Sequence, residues 1–127
     1  MIYLYLAIGS IAGAISRYQL GLWISGSYDS PFGFLWATFI INVSGSFVMG
    51  FLMEYLSDIA SSRELRIMLT VGFCGSYTTF SAFSHESITL LRDGRTSLAM
   101  LYGGSSILFA PLAYLAGFFI ARSIRSI

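Results

Sequence analysis

Four long apolar stretches set the pattern of hydrophobic and polar positions along this chain of 127 residues. They cover about residues 2–24, 34–56, 65–91 and 98–121, each near the roughly 20 residues that a helix needs to cross a hydrocarbon core. Three short polar connections separate them. The pattern predicts a single all-α, integral membrane domain with four transmembrane helices and no room for a soluble domain. The first stretch has no positively charged leader and is longer than the apolar core of a signal peptide, so it reads as a retained span.

Composition supports this reading. Hydrophobic residues make up 56% of the chain and charged residues 10%, against roughly 25% charged in a soluble domain with a wet outer face. Acids and bases almost cancel, which excludes a polyanion-binding surface as the main theme. All seven basic residues are arginine. Cys74 is the lone cysteine, so neither an intrachain disulfide nor a cysteine zinc site is available. Asp29, Asp58 and Asp93 fall in predicted connections. No nucleophile–histidine–acid arrangement, phosphate loop or metal motif appears, and the chain is not expected to be an enzyme.

The arginines give little orientation. Four spans put both termini and the connection around 57–64 on one side, with Arg63, Arg66, Arg122 and Arg125; Arg92, Arg95 and an outward-reaching Arg17 fall on the other. So small a bias permits insertion both ways and antiparallel pairing about a two-fold axis, although Arg122 and Arg125 alone would fix one topology. Small residues recur where helices can approach closely. These are Gly9 and Gly13 in span one, Ser44 to Ser46 and Gly50 in span two, and Gly103 to Ser106 in span four.

The third stretch is unlike the others. Residues 71–87, VGFCGSYTTFSAFSHES, hold two glycines, two threonines, four serines, a histidine and a glutamate inside an apolar run. Gly72, Gly75 and Ser76 weaken a continuous helix. A break there, near mid-membrane, would release carbonyls and amides that need a helix, a water-filled cavity or an ion as partner. Thr78 or Thr79 is suited to cap the half-helix that follows. Phe80 and Phe83 lie three apart and share a face, beside Thr79, Ser81 and Ser84. Ring edges are positive and can approach an anion, though the same spacing also serves ordinary packing. Asn42 offers amide hydrogens at mid-depth of span two, either to an anion or to another helix. Tyr102 and Ser106, four apart, form a small hydroxyl stripe on span four. His85 and Glu86 point to different sides of a helix and are expected near interfacial water.

GFCGSYTTFSAFSHE resembles the signature of the CrcB/Fluc fluoride channels, whose usual form is close to GFCGG(L/F)TTFSTFSxE. The SRY at 16–18 and INVSGSFVMG at 41–50 resemble that family's first- and second-span motifs. The resemblance covers essentially the whole chain. It implies a passive, fluoride-selective channel that exports fluoride from the cytoplasm across the cell membrane and lowers its toxicity. It also implies an antiparallel, dual-topology homodimer with two pores and a third helix broken near mid-membrane; some members pair with a homologous sister chain instead. The family's phenylalanine box corresponds to Phe80 and Phe83, its pore asparagine to Asn42, its fourth-span pore hydroxyl to Tyr102 and its first-span arginine to Arg17. Thr79, Ser81 and Ser106 would complete the polar lining. A structural sodium ion (Na+) would be held by backbone carbonyls at Gly75 and Thr78 of both subunits.

Ser76, Ala82 and Ala110 depart from that pattern, at positions where a second glycine, a threonine and a pore serine are usual. Two rivals from other classes remain at this point. A small proton-coupled exporter needs a carboxylate deep in the membrane, and Glu54 and Glu86 are expected near span ends. A structural membrane assembly protein would explain the small residues but not the polar clustering of the third stretch.

Overall fold

The computed structural model of the protein describes residues 1–27, 32–57 and 63–126; Asp29 and Asp58 lie outside these. Every element among the described residues is helical. Helix α1 spans Ile2–Ser27 and α2 spans Gly33–Tyr55. The third rod is in pieces: α3 at Arg63–Ile67, a π-helical segment at Met68–Cys74, a last turn α4 at Gly75–Tyr77, then α5 at Phe80–Arg92. Helix α6 runs over Thr96–Arg125 and carries Pro111 within it. Helices α2 and α6 are long and apolar enough to cross a membrane. Large apolar side chains such as Ile8, Ile11, Ile15, Leu101, Leu108, Leu112 and Phe119 face outward, a surface far too apolar for water.

Two close backbone crossings hold the bundle together. On one side α1 runs alongside the π-helical segment. A Cβ added at Gly9 would overlap the Met68 carbonyl, and one at Gly13 the Phe73 carbonyl. From the other helix, a Cβ at Gly72 would come within 3.0 Å of the Leu6 carbonyl oxygen. On the other side α2 and α6 share the most extensive interface. There Gly50 faces the Tyr114 carbonyl and Gly117 the Phe47 carbonyl. Where apolar surroundings give no hydrophobic drive, such absent side chains permit the van der Waals contact that binds helices.

Glycines therefore do a different job from the one their helix propensity suggests. Gly72, Gly75 and Ser76 all lie within helix, and the chain leaves helical geometry only at Thr78 and Thr79. Inside an apolar bundle a glycine's propensity cost is smaller than the gain from close approach, so Gly72 serves packing against α1. In span four, a Cβ added at Gly103 or Gly104 would meet nothing within 4 Å; the close α6 contact falls at Gly117 instead.

The break redirects the chain. Before it, the third rod lies chiefly against α1; after it, α5 packs on α2 and α6. A small core of Leu35, Leu90, Ala99 and Tyr102, flanked by Phe32, Phe39, Phe83 and Leu98, fixes α5 there. Helix α5 stops at Gly94, whose φ of 73° is a left-handed value. Gly94 N–H donates to Leu91 O and Arg95 N–H to Leu90 O, the paired bonds of a Schellman stop. Arg95 then lies 4.5 Å from the centre of the Phe32 ring. At the far end, one guanidinium nitrogen of Arg125 reaches Glu54 O at 2.7 Å and Ser57 Oγ at 2.6 Å. It also pairs with the Glu54 carboxylate at 3.1 Å. The C-terminal ends of α2 and α6 thus lie together, as an up-down-up-down order requires.

Candidate ion pathway at the broken helix

Residues 77–79 are gripped from α2 by the INVSG motif. Asn42 Nδ2 donates to Thr79 O at 3.0 Å, and Thr79 N–H donates to Asn42 Oδ1 at 2.7 Å. Ser44 and Tyr77 share a hydroxyl–hydroxyl bond of 2.9 Å. Gly45 leaves the space that Thr78 Cγ2 and the Tyr77 ring fill. Thr79 is extended, with φ −148° and ψ 117°, and its hydroxyl accepts the Ala82 N–H to cap α5. The Asn42 side chain acts here as a substitute peptide group, satisfying both backbone partners of Thr79 where the helix ladder fails.

The broken end has a second consequence. The last backbone bond of the half-helix is Thr78 N–H to Cys74 O at 3.0 Å, doubled by the Thr78 hydroxyl at 2.9 Å. With Thr79 N–H turned toward Asn42, the carbonyls of Gly75 and Thr78 have no hydrogen-bond donor among the described residues. Gly75 is also exposed on the surface of the chain. Free carbonyl oxygens at a helix end are the donor set that a hard monovalent cation takes.

Beside the break lies a cleft of about 250 Å³ lined by Asn42, Ser46, Thr78, Thr79, Phe80, Phe83, Ser106, Ile107 and Ala110. Phe80 and Phe83 are neighbours, with ring centres 5.7 Å apart and planes tilted by 42°. Phe83 packs in turn on Tyr102, while Phe80 is 78% exposed. Ser106 Oγ is buried with no hydrogen-bond partner among the described residues. An unsatisfied hydroxyl in an apolar setting is costly, which sets Ser106 apart from the other residues of this wall. Ala110 contributes a methyl group to the same wall.

Tyr102 is placed differently from the expected hydroxyl stripe. Its ring supports Phe83, but its hydroxyl donates to Glu86 Oε2 at 2.6 Å. Thr38 Oγ1 donates to Glu86 Oε1 at 2.7 Å. Glu86 is therefore buried between α2 and α6, held by two hydroxyls rather than reaching out to interfacial water. Its two hydroxyl donors make that burial tolerable. Thr38 had no signal of its own in the sequence; a carboxylate inside an apolar run was the available clue, since such groups face a partner.

A wider cleft of about 600 Å³ gathers Arg17, Ser25, Thr38, Ser81 and Glu86 between α1, α2 and α5, and Thr79 lines both clefts. The sequence-derived candidates thus line two clefts that share Thr79, or lie beside them. Asn42, Thr79, Phe80, Phe83 and Ser106 share the narrow cleft, Arg17 and Ser81 the wider one. Gly75 and Thr78 sit at the broken end, and Tyr102 stands behind Phe83.

An apolar helical bundle with a ring-lined cleft beside an interrupted helix is that of a membrane protein. The chain belongs to the family described as CrcB-like protein, Camphor Resistance (CrcB), which it matches over residues 4–118. It is 42% identical over 123 residues to Fluoride-specific ion channel FluC 1 of Moorella thermoacetica, covering 96% of this chain and 86% of that protein. It is 41% identical over 114 residues to Fluoride-specific ion channel FluC of a Thermus thermophilus strain, covering 89% and 88%. The corresponding protein of Rhizobium meliloti is 38% identical over 122 residues, covering 95% and 96%.

Proposed function

We propose that this chain is a passive fluoride channel of the cell membrane, four spans to a subunit, working as an antiparallel homodimer that lets cytoplasmic fluoride out. The names of its relatives supply the ion. The observation that carries the mechanism is the narrow cleft in which two tilted phenyl rings, the Asn42 amide and the unpartnered Ser106 hydroxyl meet.

Fluoride gives up water only to good donors. One Nδ2 hydrogen of Asn42 is committed to Thr79; the other, with the Ser106 hydroxyl, is available to replace lost hydration. The positive edges of Phe80 and Phe83 guide the ion between those donors without binding it tightly. Among the described residues no fixed cation lines the narrow cleft, so an ion entering it is not trapped. Arg17 in the wider cleft raises the local anion concentration, and Thr79, which lines both clefts, connects the two spaces.

The carbonyls of Gly75 and Thr78 suit sodium. In an antiparallel pair the two broken ends meet at the axis and offer four oxygens. When bound, sodium supplies the positive charge that balances carbonyls otherwise unpaired in the membrane. The near-even arginine distribution supports dual topology.

A second reading, proton-coupled export, draws on the buried carboxylate of Glu86. One experiment separates them: fluoride efflux from liposomes holding only this chain, with potassium and valinomycin for counter-current, a chloride trace and a proton clamp. Fluoride release that ignores the proton gradient while chloride stays inside supports the passive channel. Release that follows the proton gradient supports the exporter. No release, even after a homologous sister chain is added, refutes both.

A further inference from the structure

We infer that Asn42 is also a positioning residue for the cation site: by capturing the Thr79 N–H, it keeps the Gly75 carbonyl free to coordinate sodium. The inference rests on the sodium reading above and deepens it. In an uninterrupted helix, Thr79 N–H would donate to the carbonyl four residues back, that of Gly75. The preceding rung, Thr78 to Cys74, is intact at 3.0 Å. The ladder thus ends at the one residue whose N–H meets Asn42 Oδ1, at 2.7 Å.

Inside a membrane that N–H must find an acceptor. Asn42 Oδ1 accepts it here, with Thr78 extended at ψ 158°; were Thr78 to return to helical geometry, the same N–H would be aimed at Gly75 O. Without Oδ1, the N–H falls back on Gly75 and takes a ligand oxygen from the cation. The return bond, Nδ2 to Thr79 O at 3.0 Å, fixes the amide's orientation so that oxygen faces the N–H. One side chain therefore borders the anion cleft and sets the donor count of the cation site. The two sites are linked through it, and such linkage is reciprocal.

The test follows thermal unfolding of the detergent-solubilised protein while sodium replaces N-methylglucamine at constant ionic strength, a readout independent of fluoride flux. Wild type is expected to rise in melting temperature with sodium. Asn42→Asp, compared at acid pH where its carboxyl is protonated, keeps an oxygen for Thr79 N–H and an O–H for Thr79 O, and should retain a midpoint near that of wild type. Asn42→Leu lacks it and should need about tenfold more sodium, or lose the response. A sodium-responsive wild type with an equally responsive Asn42→Leu overturns the inference alone. So does an Asn42→Asp variant that fails as badly as Asn42→Leu. A wild type indifferent to sodium overturns the cation reading itself, and the inference with it. Should Asn42→Leu fail to fold, NMR of labelled wild type decides: a coupling across the hydrogen bond from Thr79 N to Asn42 Cγ is expected, and one to the Gly75 carbonyl carbon instead overturns the proposal.

Discussion

Tyr102 and Glu86 face each other across α5 and α6 with 2.6 Å between phenolic oxygen and carboxylate. The bond joins the ring behind Phe83 to a buried acid on the same helix as Phe83. Thr38 fastens the other carboxylate oxygen to α2. The position of the phenylalanine pair is thereby tied to a three-residue polar cluster on three helices.

Tyr102→Phe keeps the ring and removes one of the two donors to Glu86. It should lower stability by about 1–3 kcal/mol, the usual cost of leaving a buried acceptor short of a partner. Unfolding in mixed micelles measures this. Tyr102→Phe combined with Glu86→Gln should cost less than the sum of the single changes, because both disturb one interaction.

Phe80→Ile and Phe83→Ile replace a ring edge by a branched alkyl group of no comparable edge charge. Fluoride efflux should fall by about tenfold or more, equivalent to roughly 1.4 kcal/mol on the barrier. Size-exclusion chromatography should still show the assembled protein. Unchanged efflux in both variants would remove the ring-edge mechanism.

Ser106→Ala deletes a hydroxyl that bonds to no other described group. Stability should stay within about 0.5 kcal/mol of wild type, while fluoride efflux drops. A large loss of stability would mean that the hydroxyl serves packing.

Arg17→Gln should slow fluoride entry at low ionic strength, and the deficit should shrink as salt is raised, because steering by a charge in an open cleft is screened over about 10 Å at 0.1 M. Efflux measured across a salt series tests this. A deficit that ignores salt would place Arg17 in a packing role.

Gly13→Ala would push a methyl group into the Phe73 carbonyl, a backbone atom that cannot swing aside. The α1 contact must open, at a cost of about 1–3 kcal/mol. The same change at Gly26, which has nothing within 4 Å, should be nearly neutral. Parallel unfolding of the two variants isolates the contact from helix propensity.

Much of this arrangement was legible in the chain. Apolar runs of sufficient length marked the helices, and Phe80 and Phe83 announced their shared face by spacing alone. That Thr78 or Thr79 would cap the half-helix followed from residue type, and Thr79 is the one that does. Other features depended on contacts between distant residues. The break falls at Thr78 and Thr79 rather than at the glycines because Asn42, Ser44 and Gly45 on α2 hold that segment, and propensity carries no information about α2. Glu86 looked interfacial because Thr38 lies 48 residues away in sequence. Both readings of Asn42 that residue type allowed, donor to an anion and link between helices, are compatible with its geometry, since only one of its two amide hydrogens is used.

Gly103 and Gly104 have empty space where a side chain would stand. Within one subunit they are therefore silent positions: a methyl group there meets none of the chain's own described atoms within 4 Å. Sensitivity to alanine at either position is then a report on something outside the subunit, so Gly103→Ala and Gly104→Ala probe what lies against α6.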